Sequence, residues 1–218
     1  MPGYMYFGAL VLAMTQVSVF SQSERTTASD FGGNITLQSG SRKLQITSSG
    51  MKHNPVLSEQ QDRLVFTALG RGGGLYMANR NDGWRPKLLF GIPFSVDSRE
   101  YREAVDYRFS VVSNSLLVLT NFSATAFTLL RVDLSTGIPS VINAAVTAFH
   151  EVLSGEFKGD LVLKRRDWGR PDPNMPERII FVYELTSPLG TSLRKIGSLE
   201  RVDGLLGYRP EFCPSDTK

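Results

Sequence analysis

The feature that most constrains this chain is its likeness to itself at an offset of just over fifty residues. Pro55-Val-Leu-Ser58, followed by Asp62-Arg-Leu-Val-Phe66, overlays Tyr107-Arg-Phe-Ser110, followed by Asn114-Ser-Leu-Leu-Val118, at a shift of 52. Asn79-Arg-Asn-Asp-Gly83 overlays Asp133-Leu-Ser-Thr-Gly137 at a shift of 54. A third copy, Arg178–Glu184 with Thr186-Ser-Pro-Leu-Gly190, places its glycine 53 residues beyond Gly137. Each glycine closes one apolar run and precedes another: Arg85–Phe90, Ile138–Ile142 and Thr191–Ile196. Such a position suits a hairpin turn, where a positive φ costs glycine little.

The runs between the turns have strand length and strand composition. They include Leu64–Leu69, Leu75–Ala78, Leu116–Thr120, Phe127–Asp133, Asp160–Lys164 and Arg178–Glu184. Only Ile142–Leu153 has helical character, and it lacks a good cap. The chain reads as all-β. A unit of about fifty residues with four short strands is the sequence signature of a β-propeller blade. One blade cannot bury both faces of its sheet, so neighbours stack and share apolar layers. The expectation is a propeller of about three blades plus partial terminal blades over residues 32–218. A β-sandwich or barrel with accidentally similar hairpins is the alternative. If the reading holds, Leu64–Leu69, Leu116–Thr120 and Asp160–Lys164 are equivalent strands of successive sheets.

Residues 4–20 carry no ionised side chain and give way to Ser21-Gln-Ser-Glu-Arg25. Seventeen residues are short for a membrane-spanning helix, which needs about 20. The segment suits the apolar region of a secretory signal cut before Gln22, although its leader has no Lys or Arg. An uncleaved anchor and a buried element of the domain are the other readings. Residues 1–21 are therefore read as signal or apolar segment, and 22–31 as a linker. A lone Cys213 fits an oxidising compartment, where stray thiols are a liability. Asn34-Ile-Thr36 and Asn121-Phe-Ser123 are glycosylation sequons in a eukaryotic secretory route.

Composition narrows the function classes. With 24 basic and 21 acidic residues, the chain has no concentrated nucleic-acid surface beyond a short Lys164-Arg-Arg166 run. One Cys forbids an internal disulfide, and no Cys/His cluster has zinc spacing. The glycines of Gly70-Arg-Gly-Gly-Gly74 precede a strand rather than a helix N-terminus, so they read as a hairpin loop and not a phosphate loop. His150-Glu151 lacks the second His of a zinc-protease helix, and no Gly-x-Ser-x-Gly occurs. The expectation is a chain that is not an enzyme and holds no cofactor or metal. Trp84 and Trp168 follow turns and read first as packing residues. The Pro-rich stretch 167–176 interrupts the third copy, and Arg165, Arg166, Trp168 and Arg170 are the candidate partner-binding residues, since Trp and Arg are common interface anchors.

The same residues resemble the TolB-like propeller repeat, related to WD-repeat propellers. Pro55, Ser58, Arg63, Leu64 and Phe66 match its leading strand and turn, with Glu59-Gln-Gln61 where the repeat has Pro-Asp-Gly. Leu75-Tyr-Met77 and Asp82-Gly83 match the next strand and turn. Ser39–Thr47 looks like the end of a preceding blade, and Pro210–Lys218 like the opening of another, with Cys213 where Ser is usual. On this reading the β region begins with the last two strands of a blade, whose second strand is missing. Either 4–20 supplies it or the chain is part of a larger propeller. The resemblance implies a non-catalytic binding or assembly module in the periplasm or secreted. Its partner is expected to be a protein or peptide, with a glycan as the other ligand class and no nucleic acid. Membrane contact would come only through an uncleaved N-terminal segment. The alternative is the substrate-gating propeller of a prolyl-oligopeptidase-like serine hydrolase whose catalytic domain is not in this chain.

Overall fold

The computed structural model describes residues 25–48, 51–70, 73–123, 126–167, 180–190, 193–196 and 199–206. The apolar segment 4–20, the cut expected before Gln22, the 210–218 motif and Cys213 lie outside them. Blade I holds β1 (Thr26–Phe31), β2 (Asn34–Ser39) and β3 (Arg42–Gln45). Blade II holds β4 (Lys52–Leu57), β5 (Arg63–Ala68), β6 (Gly74–Asn79) and β7 (Lys87–Gly91). A two-stranded hairpin, β8 (Phe94–Val96) and β9 (Arg99–Tyr101), leads into blade III, which holds β10 (Glu103–Phe109), β11 (Ser115–Ser123), β12 (Ala126–Asp133) and β13 (Pro139–Ala144). Blade IV holds β14 (Val146–Glu151), β15 (Leu161–Asp167), β16 (Ile180–Thr186) and β17 (Leu193–Lys195), followed by helix α1 (Leu199–Leu206). Every sheet is an antiparallel meander in sequence order.

The three runs expected to be equivalent fall in β5, β11 and β15, each the second strand of its own sheet. That placement excludes the single-sandwich reading. These strands are continuous apolar runs because they are buried on both faces. Leu64 and Phe66 pack toward Ile35 and Leu37 of blade I, whereas Val65 packs toward Tyr107, Leu116 and Val118 of blade III. In β11, Leu117 and Leu119 turn the other way and meet Val146, Phe149, Leu161 and Leu163 of blade IV. Each fully buried Leu or Phe contributes roughly 1.5–3 kcal/mol, so the layers between blades are the main source of cohesion. Trp84 packs half-buried against the layer between blades I and II, a packing role as expected.

The repeated turn residues have physical causes. Gly83, Gly137 and Gly190 have φ of 65°, 73° and 69°, the left-handed turn that the repeat predicted. Gly74 ends the glycine hairpin loop between β5 and β6, where a Cβ would lie 2.6 Å from both Leu88 Cδ1 and the Phe90 carbonyl of β7. Ser58 closes the turn from β4 to β5. Its Oγ donates to Asp62 Oδ1 at 2.7 Å and accepts from the N–H groups of Asp62 and Arg63 at 3.2 and 3.0 Å. Ser110 plays the same part in blade III, accepting from Val112 and Ser113 N–H at 3.3 and 3.1 Å. Ser58→Ala is expected to lower unfolding free energy by about 1–2 kcal/mol, because two turn N–H groups lose a largely buried acceptor. An unchanged urea midpoint would remove the hydroxyl from this account.

Blade IV shows why the third copy matched weakly. The position of Ser58 and Ser110 is held by Val152, whose N–H bonds the Asp160 carbonyl at 2.8 Å across a longer turn. The link from β13 to β14 is one residue, with no counterpart of the β8–β9 hairpin. A longer connection from β15 to β16 compensates, which restores the offset at Gly190.

Several expectations need correction. Ile142–Leu153 is not helical: it spans the end of β13 and all of β14, joined at Ala145 with φ 59°. A bulge between Val146 and Ala148 turns Val146 and Phe149 to the same face, and that three-residue spacing imitated a helical period. The helix that does exist, α1, lays Val202 and Leu206 over Val162, Leu185 and Ile196 on the face of blade IV turned away from blade III. The β8–β9 hairpin was not anticipated, although Asp97 and Ser98 have φ of 49° and 64°, as a tight primed turn requires.

Blade I has three strands rather than two, because residues 26–31 of the expected linker form β1. Its turn into β2 lies at the start of β4, where Lys52 N–H donates to the Gly33 carbonyl at 3.0 Å. Its beginning lies at the other end, where Thr26 N–H donates to Gln61 Oε1 at 2.8 Å. β1 therefore runs in the sense of β5. Strands β1–β3 correspond to the second, third and fourth strands of the other blades, so the second strand that the sequence pattern missed is present.

Candidate functional site

In a meander, alternate connections fall on the same side. One face of the array gathers the links between blades and the connections after β5, β11 and β15; the Ser58 and Ser110 turns lie on the other. On the first face, a cleft of about 750 Å³ opens between blades II and III. His53 and Asn54 at the start of β4 form one wall, with Leu69 beyond β5. Ile92 and the Glu100, Arg102 and Glu103 side chains around β9 and β10 form the other.

The floor is fixed by Tyr107. Its ring is buried between the blades, and its hydroxyl donates to the Asn54 carbonyl and also reaches the His53 carbonyl at 3.3 Å. Burial pushes the phenol pKa up to about 12, so it remains a proton donor across the physiological range. Asn54 presents its carbonyl this way because β4 bulges between His53 and Val56 and Asn54 takes φ 54°. Thr67 Oγ1 donates to the His53 carbonyl at 3.1 Å.

The rim combines charge with apolar surface. His53 Nδ1 lies 3.7 Å from Asp30 Oδ2 of blade I, and both side chains are well exposed. Glu100 Oε1 accepts from Arg102 Nε at 2.9 Å. Leu69 gives the rim an apolar side chain and is tied to the residue before β4: its N–H donates to the Met51 carbonyl at 2.9 Å, and both residues are more than half exposed. Thr67 spends its proton on a carbonyl and does not present it to the His53 imidazole, so the pair lacks the nucleophile–base contact of acyl transfer. Among the described residues, no group of three His, Cys, Asp or Glu side chains is placed to hold a metal.

Of the residues singled out in the sequence, Arg165 lies on β15, where its Nε donates to the Ala144 carbonyl at 3.0 Å and its Nη1 to Glu184 Oε2 at 2.7 Å. Arg166 follows it, with its N–H on the Ala145 carbonyl at 3.2 Å. Trp168 and Arg170 lie outside the described residues. Their segment follows the end of β15 at Asp167 and precedes the start of β16 at Ile180, the same place in strand order as the connection after β5. Glu151, noted beside His150, joins two blades: it accepts from Ser110 Oγ at 2.6 Å and Val111 N–H at 2.7 Å. The cleft itself was missed. Its walls come from separate segments around His53, Leu69 and Glu100, and no motif in the sequence joins them.

Four stacked antiparallel blades place this chain in the β-propeller class, with a TolB-like fold. Several solved structures resemble it. The tricorn protease superposes with a TM-score of 0.58 at 14% identity, over 79% of this chain and 16% of that one. The β-propeller domain of the Trilobed protease from Pyrococcus furiosus gives 0.52 at 10% identity, over 76% of this chain and 48% of that one. A putative TolB from Agrobacterium tumefaciens gives 0.50 at 13% identity, over 78% of this chain and 58% of that one. The chain thus spans less than two thirds of the length of each. No family model matches the chain, and no curated protein matches it.

Proposed function

We propose that the chain is a non-catalytic binding module that captures an extended segment of a partner protein in the cleft between blades II and III. The observation that carries this reading is the construction of the cleft: the exposed apolar Leu69 on one wall, beside a β4 backbone that Tyr107 holds at the His53 and Asn54 carbonyls. Its volume falls within the roughly 300–1,000 Å³ of ligand sites. The fixed floor lowers the ordering cost of binding, and Leu69 supplies apolar contact area. Trp168 and Arg170, in the connection between β15 and β16, are proposed as a second contact.

The test uses a bead-displayed library of random decapeptides selected on the full chain. Leu69→Asp is expected to reduce the enriched peptides' affinity tenfold or more while leaving the melting temperature unchanged, since Leu69 is exposed. Equal affinity for the variant would dismiss the cleft. Trp168→Ala is read in the same assay, and a lowered melting temperature with unchanged capture would assign Trp168 to packing. The likeness to propellers of two proteases favours a second reading, a substrate-gating propeller of a hydrolase. Cleavage of the selected peptides by a longer polypeptide containing this chain would favour it.

A further inference from the structure

Most of the polar side chains of the cleft are committed to neighbours. Thr67 Oγ1 donates to the His53 carbonyl at 3.1 Å, the His53 imidazole faces the Asp30 carboxylate at 3.7 Å, and Arg102 Nε donates to Glu100 Oε1 at 2.9 Å. Asn54 and Glu103 line the cleft from opposite walls, and both are exposed. Neither side chain has a hydrogen-bond or ion-pair partner among the described residues.

Asn54 is a fixed amide. It sits in the β4 bulge at φ 54°, a left-handed position that suits glycine and that Asn tolerates better than most residues. The Tyr107 hydroxyl holds its carbonyl, so the backbone that carries the side chain is anchored to blade III. A primary amide offers one acceptor and two donors, the complement of the N–H and C=O groups along the edge of an extended chain. Glu103, the first residue of β10, supplies charge. Of the Asp, Glu, Lys and Arg side chains among the described residues, Glu100, Arg102 and Glu103 line the cleft. Glu100 and Arg102 neutralise each other, so the charge left over is a carboxylate, with Asp30 as a second beside His53. Such a surplus attracts cations and is screened less in a cleft than on open surface.

We infer that the segment captured in the cleft carries a lysine or arginine, its main chain held by the Asn54 amide and its cationic side chain by the Glu103 carboxylate. This rests on the cleft being a peptide site and adds the chemistry of the ligand. Successive side chains of an extended segment point to opposite sides. Leu69 lies on the Asn54 wall and Glu103 on the other, so the two walls read neighbouring residues, one apolar and one basic.

The test takes the decapeptides selected on the full chain. They are expected to be enriched in Lys or Arg next to a large apolar residue. Replacing that basic residue by glutamine should weaken binding to the parent about fivefold and leave binding to Glu103→Gln little changed. Peptide amides are then N-methylated one at a time. One position should lose about tenfold on the parent and nothing on Asn54→Gly, which keeps the left-handed φ and the Tyr107 bond. Both variants should melt with the parent; a lowered melting temperature would assign that side chain to the fold and overturn the inference. So would selected peptides without a surplus of basic residues, or losses that persist undiminished in the two variants. In those cases the cleft reading stands as long as Leu69→Asp still weakens the peptides. Equal affinity for Leu69→Asp, or a selection that enriches no peptide, would remove both.

Discussion

Replacing Arg165 by alanine is expected to lower the unfolding free energy by about 3 kcal/mol. The Glu184 carboxylate is 6% exposed and receives Arg165 Nη1 at 2.7 Å, so removing the guanidinium leaves a buried anion without that partner. Breaking a buried pair from one side costs roughly 3–5 kcal/mol; the partial exposure of Arg165 places this case at the lower end. The Nε bond to Ala144 also ties β15 to the junction of blades III and IV. For a domain of this size the loss corresponds to a fall of about 6–12 °C in melting temperature. The double variant Arg165→Ala with Glu184→Gln should recover part of it, because the amide is cheaper to leave buried than the carboxylate. A melting temperature within a degree of the parent for Arg165→Ala would overturn the structural role and return Arg165 to the partner-binding candidates.

Acid is expected to destabilise the chain through His150. This side chain is 8% exposed in β14, and burial, reinforced by the Arg108 guanidinium and opposed by Asp106, lowers its pKa from 6.5 to about 4. Above pH 6.5 the imidazole is neutral in both folded and unfolded chains, so its titration changes nothing. Between about 6.5 and 4 only the unfolded chain takes up the proton, and stability falls with the pH. The loss reaches roughly 3 kcal/mol at about pH 4 and then stops growing. Urea midpoints across this window should show the slope in the parent and a shallower one in His150→Gln. Equal slopes would remove His150 as the source.

The architecture was legible in the sequence because the second strands carry so much information. Residues buried on both faces must all be apolar, so Leu64-Val-Phe66 and Leu116-Leu-Val118 stand out, and turns that need a left-handed glycine recur at fixed distances from them. What escaped was local structure in which a tertiary contact overrides the pattern. The bulge at Val146 imitated a helix, α1 is short and contains Gly204, and β1 alternates small polar residues that give no apolar signal. Function was less legible for a related reason. Arg165 was chosen for its residue type, but the same guanidinium that suits an interface also suits a buried carboxylate. The cleft is assembled from residues near positions 53, 69 and 100, each unremarkable in its own segment.

The two-sided packing of the second strands also governs how the array loosens. An interior blade cannot open without exposing two apolar layers, whereas an end blade exposes one. Among the described residues, blade I is such an end: Thr27, Ser29 and Gln38 on its far side are exposed polar residues, and the layer it shares with blade II centres on Ile35 and Leu37. Local opening therefore begins there. As blade I frays, Asp30 withdraws from His53 while Tyr107 continues to hold β4 against blade III. Both walls of the cleft belong to blades II and III, so it keeps its spacing while the blade beside it opens and closes, losing only the Asp30 carboxylate at its rim.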